Sequence, residues 1–272
     1  LLETTVSKEL AQSARKRFGQ NFLIDGRVID AILASVNASP TDAVVEIGPG
    51  HGAITEGLYA SGCDLTLIEL DRDLIPGLLA RFVTKAPERC RLINHDVLKV
   101  DFTQLNTPLR VVGNLPYNIS TPLLFQLLDL GQNIRDIHVM LQKEVVNRIA
   151  ANAGESAYGR LGVMIQATAR VEPLIDVPPE SFAPAPKVDS GVIRIIPDAD
   201  KRAQIQSMDM LKAVVRQAFS QRRKTLRNNL KELINTEEFA HLEINPQDRP
   251  ERLSVETYVH LANHISQREG SL

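Results

Sequence analysis

The chain has 272 residues, 43% of them hydrophobic and 24% charged, with a formal net charge of −2. That length suits a full α/β domain with a smaller module, and that balance excludes a uniformly basic nucleic-acid coat. No apolar run approaches the ~18 residues of a membrane span, and no signal-peptide core stands at the N-terminus, so a cytoplasmic protein is expected; the chain begins Leu-Leu rather than Met, as a trimmed start would.

Residues 1–27 read as a basic, mostly polar arm that contains Arg15-Lys16-Arg17 and ends in Phe18-Gly-Gln-Asn-Phe-Leu23. Apolar spacing predicts a helix over 28–36. Strand-like runs at 43–48, 64–70, 91–96, 109–113 and 137–141 then alternate with helix-like runs at 53–60, 72–83, 122–130 and 143–151. Short apolar strands separated by helices indicate a parallel sheet covered on both faces. After a further helical stretch at 158–169, strands at 170–177 and 188–196 flank a proline-rich loop, as an antiparallel hairpin at one sheet edge would. From Ser207 onward the pattern is helical. A boundary near residue 200 divides the chain into 1–200, the α/β domain with its arm, and a small all-α domain over 201–272. The segment 201–230 carries eight Lys/Arg, including Arg222, Arg223, Lys224 and Arg227, against the single acid Asp209. Such a patch suits phosphate contacts, and it equally suits a solvated helix face. Cys63 and Cys90 are isolated, lack ligand spacing and read as reduced and buried.

Gly48, Gly50 and Gly52 follow a strand and precede a helix, where the backbone must turn sharply and a ligand can approach the main chain. Glu69 ends the next strand and offers two acceptor oxygens to the paired hydroxyls of a ribose. Asp96 ends the third and can accept from an adenine amine. Both acids also suit plain capping or turn roles. The same glycine pattern matches a nicotinamide dinucleotide site, but a pyrophosphate would then sit beside the charge of Glu46. A cofactor with one adenosine and a cationic amino-acid tail, S-adenosylmethionine, fits the carboxylates better.

Asn114-Leu115-Pro116-Tyr117 follows the fourth strand. The Asn114 side-chain carbonyl can accept one hydrogen of an exocyclic amine, and the main-chain carbonyl of Leu115, restricted by Pro116, can accept the other. Tyr117 can stack on the base that carries the amine. Phe182, in a proline-flanked loop, can stack on the opposite face of an extruded base or plug the sheet edge. The amine of adenine is a poor nucleophile because its lone pair is delocalised, so orientation is the main need and no strong base is required before attack. The six histidines are scattered, and no metal-ligand arrangement is read.

Taken together, Phe18-Gly-Gln-Asn-Phe-Leu23, Glu46-Ile-Gly-Pro-Gly50, Ile68-Glu-Leu-Asp71, His95-Asp96, Gly113-Asn-Leu-Pro-Tyr117, Tyr158-Gly-Arg-Leu161, Phe182-Ala-Pro-Ala-Pro-Lys187 and Gln221-Arg-Arg-Lys-Thr-Leu-Arg227 resemble the ribosomal RNA adenine N6-dimethyltransferase family, in its bacterial small-subunit branch. The resemblance implies a Rossmann-like class I methyltransferase sheet and S-adenosylmethionine as cofactor. It implies that two adjacent adenosines in a hairpin near the 3′ end of 16S rRNA each receive two methyl groups, and that the protein has a part in small-subunit assembly. It further implies cofactor contacts from Asn21, Leu23, Gly48, Glu69, Asp96 and Asn114. The partner implied is the small ribosomal subunit or its precursor, and the protein is expected to act as a monomer.

Overall fold

The computed structural model describes residues 20–116, 118–221 and 223–270. Arg15-Lys16-Arg17, Tyr117 and Arg222 therefore lie outside the described residues. The chain forms two compact units, one of residues 1–146 and 172–197, the other of 147–171 and 198–272. The helical unit thus takes in 147–171, which the boundary read near residue 200 leaves with the sheet.

In the first unit the strands are β1 (Phe22–Leu23), β2 (Ala43–Ile47), β3 (Asp64–Glu69), β4 (Cys90–Asn94), β5 (Leu109–Asn114), β6 (Ile134–Gln142), β7 (Ala169–Val177), β8 (Phe182–Ala183) and β9 (Ser190–Pro197), the start of β7 belonging to the other unit. Seven of them form one sheet in the order β4-β3-β2-β5-β6-β9-β7. Pairing is parallel from β4 through β6, and β9 runs antiparallel to β6, which gives the α/β sheet with an antiparallel edge expected from the sequence. The central strands read as unbroken apolar runs because both faces are covered: Val44, Val45 and Ile47 are all buried. Strand order reverses between β2 and β5, and the crevice at the carboxyl ends of strands beside such a switch point is where open α/β sheets bind ligands. β2 and β5 approach so closely that a Cβ on Gly113 would lie 2.6 Å from the Ile47 carbonyl oxygen, which explains a glycine one residue before Asn114.

Helix α1 (Gly26–Val36) starts at Asp25, whose carboxylate accepts from the Arg27 amide, and buries Val28, Ile32 and Val36 at four-residue spacing. At the opposite end of the sheet from the switch-point crevice, Arg110 on β5 donates to both carboxylate oxygens of Asp136 on β6, at 2.9 and 2.8 Å, and also reaches Asp42 at 3.2 Å. All three side chains are buried, so the charges compensate one another where lone ones would be costly. His138, 1% exposed, lies 3.7 Å from Asp136.

The second unit is helical, and its longer helices are Met208–Ala218 and Val255–Gly270. Ser207 caps the first by accepting from the Met210 amide, and Asn235 with Glu238 forms a reciprocal capping box on Thr236–His241. Its core holds Leu211, Val214, Val215, Leu230, Phe239 and Leu261. The buried Tyr158 and Tyr258 hydroxyls donate to the carbonyls of Leu253 and Pro250, at 2.9 and 2.7 Å. Among the described residues no helix is long and apolar enough to cross a membrane.

Candidate active site

A cavity of about 920 Å³ opens at the switch point, within the first unit. It is lined by the glycine turn, the ends of β3, β4 and β5, residues 20–23 and Phe182. The turn is built from left-handed backbone, with φ of +65° at Gly48, +58° at Gly50 and +85° at Gly52, conformations that glycine adopts without steric cost. The Gly48 amide donates to the Ile68 carbonyl at 2.9 Å, which ties the turn to β3.

Glu69 organises this wall. One carboxylate oxygen accepts from the Gly50 amide at 3.2 Å and the other from the Asp71 amide at 2.8 Å. The carboxylate therefore spans the glycine turn and the start of the next segment, and burial raises its pKa. Asp71 in turn accepts from the Gln20 side chain at 2.9 Å. Asp96 uses one oxygen to cap the turn at Val97–Lys99, accepting from the Leu98 amide at 3.1 Å, and stands partly exposed at the cavity. A capping role and a ligand-facing role are thus both open to it.

Residues 20–25 form the wall facing the glycine turn. β1 pairs antiparallel with β8, Phe22 opposite Ala183 and Leu23 opposite Phe182. The Ile24 amide extends the contact to the Ser181 carbonyl at 2.8 Å. Phe22 packs its ring on Gly50, where an added Cβ would stand only 3.0 Å away, and meets the His51 ring edge-on at 4.4 Å. The side-chain amide of Asn114, at the end of β5, donates to the main-chain carbonyl of Asn21 at 3.1 Å. Since that carbonyl can only accept, the bond fixes which way the amide is turned and makes the other end of the Asn114 amide, its carbonyl oxygen, the acceptor end.

Leu115 donates its amide to the Met140 carbonyl at 3.1 Å, and its side chain is 1% exposed. The residue is therefore anchored to β6 by backbone and by burial, and it lines the cavity. Phe182 is 4% exposed and packs into the core cluster with Leu23, while part of the residue lines the cavity. It is a strand residue rather than a loop residue, because the two-residue pairing with β1 captures it. Asn21, Leu23, Gly48, Glu69, Asp96, Asn114, Leu115 and Phe182 all line this one cavity.

Sequence reasoning used Glu46 only as a charge that disfavours a pyrophosphate and did not count it among the site residues. It is 2% exposed on β2, lines the cavity, and is raised to about 7 by burial, with the Glu69 charge adding to the effect. Its place as the acid two residues before the first glycine was the available signal.

The fold of this chain is shared with solved rRNA methyltransferases. A dimethyladenosine transferase from Plasmodium falciparum superposes with a TM-score of 0.81 over 91% of this chain and 98% of that one, at 24% identity. The 23S rRNA methyltransferase ErmE superposes with a TM-score of 0.70 over 91% of this chain and 100% of its own, at 23% identity. The chain belongs to the ribosomal RNA adenine dimethylase family, whose model matches residues 11–267. Two relatives named ribosomal RNA small subunit methyltransferase A share half of its residues. The one from Marinomonas sp. (strain MWYL1) is 50% identical over 97% of this chain and 100% of the relative. The one from Pseudomonas aeruginosa is 50% identical over 95% of this chain and 97% of the relative.

Proposed function

We propose that this chain methylates the N6 amine of two adjacent adenosines near the 3′ end of 16S rRNA, twice each, with S-adenosylmethionine as donor and the small ribosomal subunit or its precursor as substrate. The observation that carries the reading is the Asn114–Asn21 hydrogen bond, which turns the Asn114 carbonyl oxygen into an acceptor for the target amine.

The cavity residues fit an adenosine with a charged amino-acid tail. Glu69 stands where its oxygens can take ribose hydroxyls, Asp96 can take the adenine amine with its second oxygen, and Gly48 leaves the main chain open to the methionine portion. Asn21 and Leu23 close the cofactor from the arm side. A pyrophosphate in place of the methionine portion would lie against the buried acids Glu46 and Glu69 and would oppose the ionisation of both, whereas a cationic tail favours it; this argues against a dinucleotide. The sulfonium supplies an electrophilic methyl group. The chain's own residues orient the acceptor: the Asn114 oxygen and the Leu115 carbonyl hold the two amine hydrogens, so the nitrogen lone pair points away from both. Orientation of this kind accounts for up to ~7–11 kcal/mol of barrier in the best intramolecular models. Phe182 supports the wall against which the base rests, and Tyr117 supplies the stacking ring. The helical unit, with exposed Arg202, Lys212, Arg216, Arg223, Lys224 and Arg227, holds the RNA backbone.

The test is transfer of labelled methyl groups from S-adenosylmethionine to undermethylated small subunits, with the nucleosides separated afterwards. Dimethyladenosine is the expected product. Label in any other nucleoside, or none in RNA, would overturn the reading.

A further inference from the structure

Glu46 takes no part in the hydrogen bonds that build the site, yet it is nearly sealed from solvent at the cavity wall. Its Oε2 has no hydrogen-bond partner among the described residues. A buried carboxylate oxygen left in this way is costly, and a partner supplied by the ligand would remove the cost. The Thr55 hydroxyl beside it favours the ionised form but closes no hydrogen bond to Oε2, and the charged and titratable groups around it do not offer one. The Glu69 carboxylate opposes its ionisation from β3, and the Cys90 thiol on β4, two strands away, is within its electrostatic reach. Farther round the cavity stand Asp71, Asp96, His51 and Arg81, and Arg81 is engaged with the His51 carbonyl and Glu56.

We infer that in mildly acidic solution Glu46 keeps its proton in the ligand-free protein and releases it when the cationic methionine end of the ligand enters, so that its carboxylate becomes the counter-ion of that end. The inference rests on the reading of the cavity as an S-adenosylmethionine site. In the step, the carboxyl O–H bond breaks, its electron pair stays on Glu46, and the proton passes to the buffer. Burial, reinforced by Glu69, places the free group at about 7, so the release falls in the neutral range.

The sign follows from linkage. Above pH 7 Glu46 is already ionised and binding costs no proton. Below pH 7 each binding event must expel one, so affinity falls by about tenfold from pH 8 to pH 6. S-adenosylmethionine and S-adenosylhomocysteine both carry the ammonium of the amino-acid tail. Methylthioadenosine lacks that tail and is neutral but keeps the adenine and ribose, so any proton that Glu69 gives up appears with all three ligands.

The experiment is titration calorimetry of the full chain at pH 6.5 and pH 8.0, each in two buffers of different ionisation enthalpy. With S-adenosylhomocysteine, whose amine has no sulfonium to acidify it, roughly three-quarters of a proton should leave at pH 6.5 and about a tenth at pH 8.0, over the methylthioadenosine baseline. The Glu46→Gln variant should lose that excess. Absence of the excess in the natural chain, or its persistence in the variant, overturns the inference; if the variant does not fold, the comparison of tailed and tailless ligands decides alone. Failure of the tailed ligands to bind while a nicotinamide dinucleotide does would overturn the cofactor reading itself and the inference with it.

Discussion

Asn114 and Asn21 are 93 positions apart in sequence, and a single 3.1 Å hydrogen bond joins the side chain of one to the main chain of the other. The bond does two things at once. It pins residues 20–23 over the glycine turn, and it decides which end of the Asn114 amide the cavity receives. The position of this cavity wall and the end of the Asn114 amide that a ligand would meet are therefore set by the same contact.

Replacement of Asn114 by Ala should lower methyl transfer by ~10²–10³, the usual cost of removing one oriented electrostatic partner. Cofactor binding should fall much less, because Leu23, Ile24 and Gln20 keep separate attachments. Single-turnover transfer and calorimetric binding of S-adenosylhomocysteine, measured on the same preparation, check the split. Equal losses in both would mean that Asn114 serves only to hold the arm.

Glu69→Ala should act first on cofactor affinity. Hydrogen bonds to a charged group are worth ~1.5–3 kcal/mol, so a loss of tenfold or more is expected. The variant also leaves the Gly50 and Asp71 amides without their acceptor, so its melting temperature should fall. Unchanged S-adenosylhomocysteine binding beside a lowered melting temperature would reduce Glu69 to a brace for the glycine turn.

Acid should destabilise the sheet unit through His138. Burial lowers its pKa to about 4, so the unfolded chain, near 6.5, binds the proton more readily. The stability this residue contributes is present above pH 6.5 and is lost as the pH falls toward 4. Between pH 7 and pH 5 the loss is about 2 kcal/mol. Glu46 works in the opposite sense, since its raised pKa favours the folded state at low pH. Urea unfolding of the natural chain and a His138→Leu variant at both pH values isolates the histidine, and the variant should show the flatter profile.

Reversal of two charges among Arg223, Lys224 and Arg227, all exposed, should weaken binding to the small subunit and reduce the log–log salt slope by ~0.7–0.9 per lost phosphate contact. Lys201 should not behave in this way, because its ammonium donates to the Gln166 and Ala169 carbonyls at 3.0 and 3.4 Å. Salt-dependent binding assays distinguish the two groups of variants. A collapse of cofactor affinity with an unchanged salt slope would mark 223–227 as structural.

The sequence by itself determined the alternation of strands and helices in the sheet unit. A strand buried on both faces must be an apolar run, and β2, β3 and β5 begin and end within a residue or two of where those runs do. It also determined the chemical candidates, since glycine turns, strand-end acids and Asn-Leu-Pro are local patterns. The pairing of β1 with β8 was decided only by the tertiary structure. Two-residue strands have too few positions for a period, and their partners lie about 160 positions away. The same holds for 147–171, whose helical pattern says nothing of which core it joins. Burial is likewise a property of the assembled fold. Phe182 moved from loop to core, and Glu46 became a sealed acid, because the surrounding chain excludes water from them. Local sequence specifies which groups are available, and only the packing of distant segments fixes their solvation and aim.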